Sequence, residues 1–136
     1  MLTNTKEAKA QINNIDTEKV DKIRYDLAVY EKMTLRISKI YHEIERLAIN
    51  SFNKSTNRVL QEISAKQDKI NDIIEQLKPL DDFLEKIEDE IEFGVFTKFF
   101  QDGRDDTYKI ARELKIPRNY VIRYINNIID LYYEKA

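Results

Sequence analysis

The chain has 136 residues and a formal net charge of −2 at pH 7, and charged residues make up 35% of it. Two Gly and two Pro are few enough to favour long uninterrupted helices, in one domain or in a small domain with an extended element. The absence of Cys excludes a disulfide framework and a thiolate metal site, and a single His excludes nearly all His-based metal sites.

The sequence also disfavours membrane insertion and catalysis. No apolar run approaches membrane-spanning length, and the N-terminus lacks the apolar region of a signal peptide. No nucleophile with a neighbouring base, phosphate-binding loop or metal-binding cluster is visible. We therefore expect a cytoplasmic protein that is not an enzyme and uses no cofactor.

Residues 1–16 predict a tail or a short helix, because Asn4 and Glu7 have capping-box spacing whereas Asn13 and Asn14 disfavour a continuing helix. The next stretch predicts a helix over 17–49. Its apolar residues recur in alternating steps of three and four, the spacing of a heptad seam: Val20, Ile23, Leu27, Tyr30, Thr34, Ile37, Tyr41, Ile44 and Ala48. Three further residues lie beside this seam and widen it, which indicates more than one packing partner: Met33, Ile40 and Leu47.

The polar cluster 50–57 predicts a connection between two helices. A second heptad pattern follows and keeps its phase past Pro79: Val59, Ile63, Lys66, Ile70, Ile73, Leu77, then Leu80, Leu84, Ile87 and Ile91. Pro79 and the capping box of Asp82 with Glu85 predict a kink or short break at 78–82, then a fresh helix over 83–92. A short loop between long amphipathic helices favours an antiparallel hairpin, whose seam closes either within one chain or between chains.

The C-terminal third predicts a helix-turn-helix over 107–126. A supporting helix precedes it, with an apolar cluster at helical spacing: Phe93, Val95, Phe96, Phe99 and Phe100. In the loop between them, Gly103 suits a turn and Asp106 is the candidate cap of the next helix. The core positions of the helix pair are Ile110, Ala111, Leu114, Ile116, Val121 and Tyr124. Pro117 suits the first turn of the second helix.

Lys115 occupies the turn position at which Gly is common, so we expect a different turn, a small strain cost or a register one residue away.

The helix pair carries a residue set typical of DNA binding: Lys109, Arg112, Lys115, Arg118, Asn119, Tyr120, Arg123, Asn126 and Asn127, with Ile122 also expected to face outward. Arg can donate two bonds to guanine, Asn can pair with adenine, and Tyr can donate to phosphate. Residues 107–128 have a net charge of +4, whereas 1–92 have −4, so a polyanion should meet the C-terminal part. The plainer interpretation is two packed helices with a solvated basic face.

The segments VFTKFF and YKIARELKIPRNYVIRYINNIIDLYY resemble region 4 of bacterial sigma factors and, more closely, phage late-gene transcriptional regulators of the RinA and ArpU type. The resemblance covers 93–136 in motif and 17–92 in layout. It implies a protein of the bacterial host cytoplasm that binds phage promoter DNA and activates late genes. Lys115 and Pro117 depart from the commoner pattern of that group.

The sequence thus predicts an all-α protein with three parts: a tail or short helix over 1–16, a long helical hairpin or coiled coil over 17–92, and a sigma-region-4-like helix-turn-helix domain over 93–136. The expected partners are double-stranded DNA and further copies of the chain bound through the heptad helices. RNA polymerase is a further candidate. The alternative function is a coiled-coil interaction module, an adaptor or inhibitor of a host or phage protein, that does not bind DNA.

Overall fold

The computed structural model describes residues 15–50 and 56–134. They form five α-helices and one π-helical segment: α1 Thr17–Ile49, α2 Thr56–Glu85, α3 Glu90–Val95, the π-helix Phe96–Gln101, α4 Thr107–Leu114 and α5 Arg118–Tyr133. The described residues contain no strand, and the predicted all-α fold is confirmed. None of the described helices has the combination of length and apolar character needed to cross a membrane.

The chain divides into two compact units. Among the described residues, the hairpin unit covers 28–50 and 56–82, and the terminal unit joins 15–27 to 83–134. The terminal unit therefore takes in two segments outside 93–136, the range that the sequence predicts for the helix-turn-helix domain. The predicted tail or short helix falls almost entirely within 1–14, which lie outside the described residues.

Helix α1 has the predicted bounds, and a side-chain cap sets its start. Asp16 Oδ1 accepts hydrogen bonds from the backbone N–H groups of Glu18 and Lys19, at 3.1 and 3.3 Å. These bonds satisfy two of the donors that the first turn of any helix leaves without a partner.

In the hairpin unit, α1 and α2 run antiparallel and close on each other within one chain. Tyr30 Oη donates to Asp81 Oδ1 at 2.6 Å, and Lys66 Nζ donates to Glu43 Oε1 at 3.1 Å. Moving forward along α1 therefore means moving backward along α2. Between the helices lies a small apolar core: Ile40, Ile70, Ile73 and Leu77, with Tyr30, Met33, Ile37 and Ile44 packed against it.

The buried face of α1 departs from the predicted seam after its first turns. Val20, Ile23 and Leu27 are buried as expected, but Tyr41 is 52% exposed. Thr34 and Ala48 are also exposed. Met33, Ile40 and Leu47, which the sequence placed beside the seam, instead join the seam residues Ile37 and Ile44 on the inward-facing side. A straight helix with 3.6 residues per turn rotates by about 20° per heptad against a 3.5-residue repeat, so the face drifts off a strict heptad.

Of the two alternatives predicted at 78–82, a kink or a short break, the break is wrong, and so is the fresh helix over 83–92. Helix α2 runs through Pro79 to Glu85, and the chain leaves the helix only at 86–89. Pro79 is exposed, so its ring lies on the solvent side and its missing N–H removes one helix bond without opening the buried face. The next helix starts with Asp89, whose Oδ1 accepts from the N–H groups of Ile91 and Glu92.

The terminal unit has a core of aromatic and aliphatic residues. Its buried residues are Val20, Ile23, Leu27, Phe83, Ile87, Val95, Phe96, Phe99, Phe100, Ile110, Ala111, Val121, Ile125, Ile128 and Ile129. Phe83 makes edge contacts with Phe96 and Tyr132, at centroid distances of 5.9 and 4.8 Å. The predicted supporting helix is thus present as α3 and the π-helix, although Phe93 is 48% exposed.

Two polar side chains of α1 tie it to this core, and nothing in the sequence pattern pointed to them. Arg24 donates from Nε and Nη2 to the backbone carbonyl of Phe99, at 3.1 and 2.6 Å, and its Nη1 lies 2.9 Å from Asp105 Oδ1. The Tyr132 hydroxyl donates to Asp26, and burial together with this bond raises the pKa of Tyr132. Both contacts hold the first turns of α1 against the C-terminal elements.

Candidate nucleic-acid interface

The first helix of the pair, α4, is set by its cap and its buried side. Asp106 Oδ1 accepts from the backbone N–H of Lys109 at 3.1 Å, which confirms the predicted cap. Ile110 and Ala111 are 0% and 6% exposed, as expected for residues covered by the second helix. Lys109 and Arg112 are exposed on the other side of α4.

The turn after α4 keeps the predicted register by placing Lys115 in the left-handed region, with φ 59° and ψ 44°. The N–H of Lys115 bonds to the carbonyl of Arg112 at 3.3 Å, and that of Ile116 to the carbonyl of Ala111 at 3.1 Å. These two bonds form a Schellman motif, which normally ends in Gly. Of the three expectations for this position, the structure shows the strained one, because an L-residue costs roughly 1–2 kcal/mol in this conformation.

Helix α5 begins directly after Pro117, whose carbonyl accepts from the N–H groups of Tyr120 and Val121 at 3.0 and 3.4 Å. Its buried face is Val121, Ile125, Ile128 and Ile129. Ile125 was missing from the predicted core although it follows Val121 by four residues. The predicted core residues Leu114, Ile116 and Tyr124 are only half-buried.

The structure leaves most of the candidate DNA-binding side chains open to solvent. Seven are exposed: Lys109, Arg112, Lys115, Asn119, Tyr120, Arg123 and Asn127. Arg118, Asn126 and Ile122 are half-buried. Within the part of the chain that the structure describes, no carboxylate oxygen lies within 4.0 Å of a side-chain nitrogen of four of the cations: Lys109, Arg112, Lys115 and Arg123.

Arg118 links the two helices of the pair. Its Nε donates to Thr107 Oγ1 at 2.8 Å, and its guanidinium lies 4.1 Å from the centroid of the Tyr108 ring. Both contacts join the start of α5 to the start of α4. Arg118 therefore helps to hold the two helices at a fixed angle, which orients the outward residues that follow it on α5.

Glu113, the acidic residue within 107–128, is neutralised from outside the helix pair. Arg104 donates to it through both terminal nitrogens, at 2.9 and 2.6 Å, and Lys98 Nζ approaches Oε1 to 2.8 Å. The hydrogen bonds from Arg104, then from Lys98, lower the pKa of Glu113 to about 2. Sequence reasoning missed this cluster because Lys98 lies fifteen residues away on the π-helix.

Asn127 lies apart from the basic end of α5. With Lys86, Leu131 and three carboxylates it lines a concavity: Glu92, Asp130 and Glu134. Burial, and secondarily the nearby Asp89, raises the pKa of Glu92. The outer face of α5 therefore changes from basic near Arg123 to acidic near Asp130, and a phosphate backbone is attracted only to the first part.

A comparison with known protein families, curated proteins and solved structures finds no match to this chain. In the described ranges, no three His, Asp or Glu side chains come together as a metal-binding group.

Proposed function

We propose that this protein binds double-stranded DNA through the α4–α5 pair and regulates transcription, as an activator of the phage late-gene type. One observation carries the proposal: four exposed cations without a nearby carboxylate lie on a helix pair joined by a Schellman turn. A cationic surface of this kind is the electrostatic footprint of a nucleic-acid contact. Activation would further require contact with RNA polymerase.

The residues divide into two roles by position. Asn119, Tyr120 and Arg123 are exposed on α5, and we assign them to base edges in the major groove. Lys109 and Arg112 on α4, with Lys115 in the turn, are exposed, and in this proposal they neutralise phosphates. The half-buried Arg118 keeps α5 oriented and contributes its charge close to the DNA.

A binding titration against a pool of genomic fragments tests this proposal. Removing two phosphate contacts with Arg112→Ala and Lys115→Ala should lower the slope of log affinity against log salt by about 2. Removing Asn119 and Arg123 should instead weaken binding to selected fragments more than to random DNA. Arg46→Ala with Lys78→Ala removes the same charge from exposed hairpin positions and should change neither. No binding at low salt would refute the proposal.

The heptad helices support a further part of the proposal, that copies of the chain associate through the hairpin. Tyr41, Leu60 and Ile74 are large apolar residues that are 52%, 57% and 47% exposed. A heptad stripe wider than one partner can cover fits a second hairpin packed alongside. A symmetric dimer would read paired half-sites.

Sedimentation equilibrium tests the association. Tyr41→Glu with Ile74→Glu should convert a dimer to a monomer, whereas Leu35→Glu, at a position 64% exposed, should not. A wild-type monomer at all concentrations would refute association. It would leave the DNA proposal standing with a single half-site.

The alternative function, a coiled-coil adaptor or inhibitor without DNA binding, takes its support from the same apolar residues. Copurification of a partner protein, together with no DNA shift at low salt, would favour it over the regulator.

A further inference from the structure

A groove of about 820 Å³ runs along one side of the hairpin unit, remote in sequence from the helix-turn-helix. Helix α1 contributes Lys32, Leu35, Arg36, Lys39, Ile40 and Glu43, and α2 contributes Glu62, Ala65, Lys66 and Lys69. Five of these ten side chains are basic and two are acidic. The N-terminal part of the chain is acidic as a whole, so a basic groove there is not a consequence of composition.

The two acidic residues of the groove are already paired. Glu43 accepts from Lys66 Nζ at 3.1 Å, a hydrogen bond that lowers the pKa of Glu43. Glu62 lies 3.7 Å from Nε of Arg58. The remaining cations have no carboxylate within 4.0 Å among the described residues: Lys32, Arg36, Lys39 and Lys69. The groove therefore has an uncompensated positive charge.

The spacing of these cations matches that of a helical partner. Lys32, Arg36 and Lys39 recur at steps of four and three, so they lie on one side of α1 over about 10 Å. Lys69 faces them from α2. Carboxylates at the same spacing on a bound helix would each meet one cation.

The groove is also lined by apolar side chains, which a phosphate backbone would not need. Leu35 is 64% exposed among these cations, and the exposed Ala65 adds a small side chain from α2. An apolar strip flanked by charge is the surface that receives the apolar face of an amphipathic helix. Two copies of this face would repel each other, which argues against a self-contact here.

We propose that the hairpin groove binds an acidic amphipathic helix of a partner protein, with its carboxylates against Lys32, Arg36, Lys39 and Lys69 and its apolar residues on Leu35 and Ala65. This contact is independent of DNA binding. It gives the protein a second binding surface, separate in sequence from the helix-turn-helix.

Fluorescence anisotropy of the full chain with a designed probe tests the inference. The probe is a labelled helical peptide of about five turns with leucines along one face and glutamates beside them. A second peptide has lysine in place of each glutamate. We expect the acidic peptide to bind, to weaken with salt, and to lose about five-fold in affinity with Arg36→Ala plus Lys39→Ala. Leu35→Ser should weaken it further.

The Arg112→Ala plus Lys115→Ala variant is the charge-matched control, and the two double variants separate the two proposals. Two results together support both surfaces. The Arg36→Ala plus Lys39→Ala variant should lose affinity for the peptide and keep its affinity for DNA. The control variant should lose affinity for DNA and keep its affinity for the peptide. Equal binding of the two peptides, or no binding of the acidic one, overturns the inference. Loss of DNA affinity in the Arg36 and Lys39 variant would also overturn it, since the groove would then be a nucleic-acid contact.

Discussion

Replacing Lys115 by Gly should stabilise the terminal unit. Lys115 has φ 59° at the position that closes α4, and its side chain is exposed with no carboxylate within 4.0 Å among the described residues. The substitution therefore removes backbone strain while breaking no described ion pair.

The magnitude follows from two opposing terms. Relief of the left-handed conformation contributes roughly 1–2 kcal/mol, and the greater backbone freedom of Gly in the unfolded chain costs about 0.5–1 kcal/mol. The net gain in the free energy of unfolding is about 0.5–1 kcal/mol. For a chain of this length that raises Tm by roughly 2–5 °C.

Differential scanning calorimetry measures the effect, and Lys115→Ala is its control. Alanine removes the same charge but retains a Cβ, so its Tm should stay at the wild-type value. If the Gly variant is no more stable than the Ala variant, the turn is not left-handed and the assigned register fails. Equal weakening of DNA binding in both variants would assign the side chain, and not the backbone, to the phosphate contact.

Three further predictions concern the packing and electrostatics of the terminal unit. Phe100 is 2% exposed, so Phe100→Ala should lower the free energy of unfolding in urea by about 3–5 kcal/mol. Phe93 is 48% exposed, so Phe93→Ala should lower it by about 1 kcal/mol or less. Similar losses in the two variants would contradict the assigned core. The pKa of Glu113 is lowered from 4.5 to about 2, so its contribution to stability is present above pH 4.5 and is lost as the pH falls to about 2. The Tm of the wild type should therefore exceed that of Glu113→Gln by less and less as the pH falls across that window. A difference in Tm that stays constant would argue against the Arg104 contact. A Cβ at residue 94 would lie 3.1 Å from Leu114 Cδ2, so Gly94→Ala requires a small shift of the Leu114 side chain. The higher helix propensity of Ala offsets this cost, and the free energy of unfolding should change by less than about 0.5 kcal/mol. A larger loss would show that Leu114 cannot move.

Local patterns in the sequence were sufficient for the parts of this protein that depend on near neighbours. The bounds of α1, the Asp106 cap, the helix pair at 107–114 and 118–133, and the all-α class follow from apolar spacing, capping residues and the scarcity of Gly and Pro. The burial of Ile110, Ala111 and Val121 follows for the same reason, since residues three or four apart share one face of a helix.

Contacts between segments distant in sequence were decided only by the tertiary structure. The Arg24 bond to the Phe99 carbonyl spans 75 residues. Arg104 and Lys98 bind Glu113 and neutralise its charge, whereas the sequence shows only the number of charges on this face. The drift of the buried face from Tyr41 to Ile40, and the passage of α2 through Pro79, depend on which side of each helix meets its neighbour. Periodicity states how often a face recurs along a helix, but only packing in three dimensions determines which face is covered.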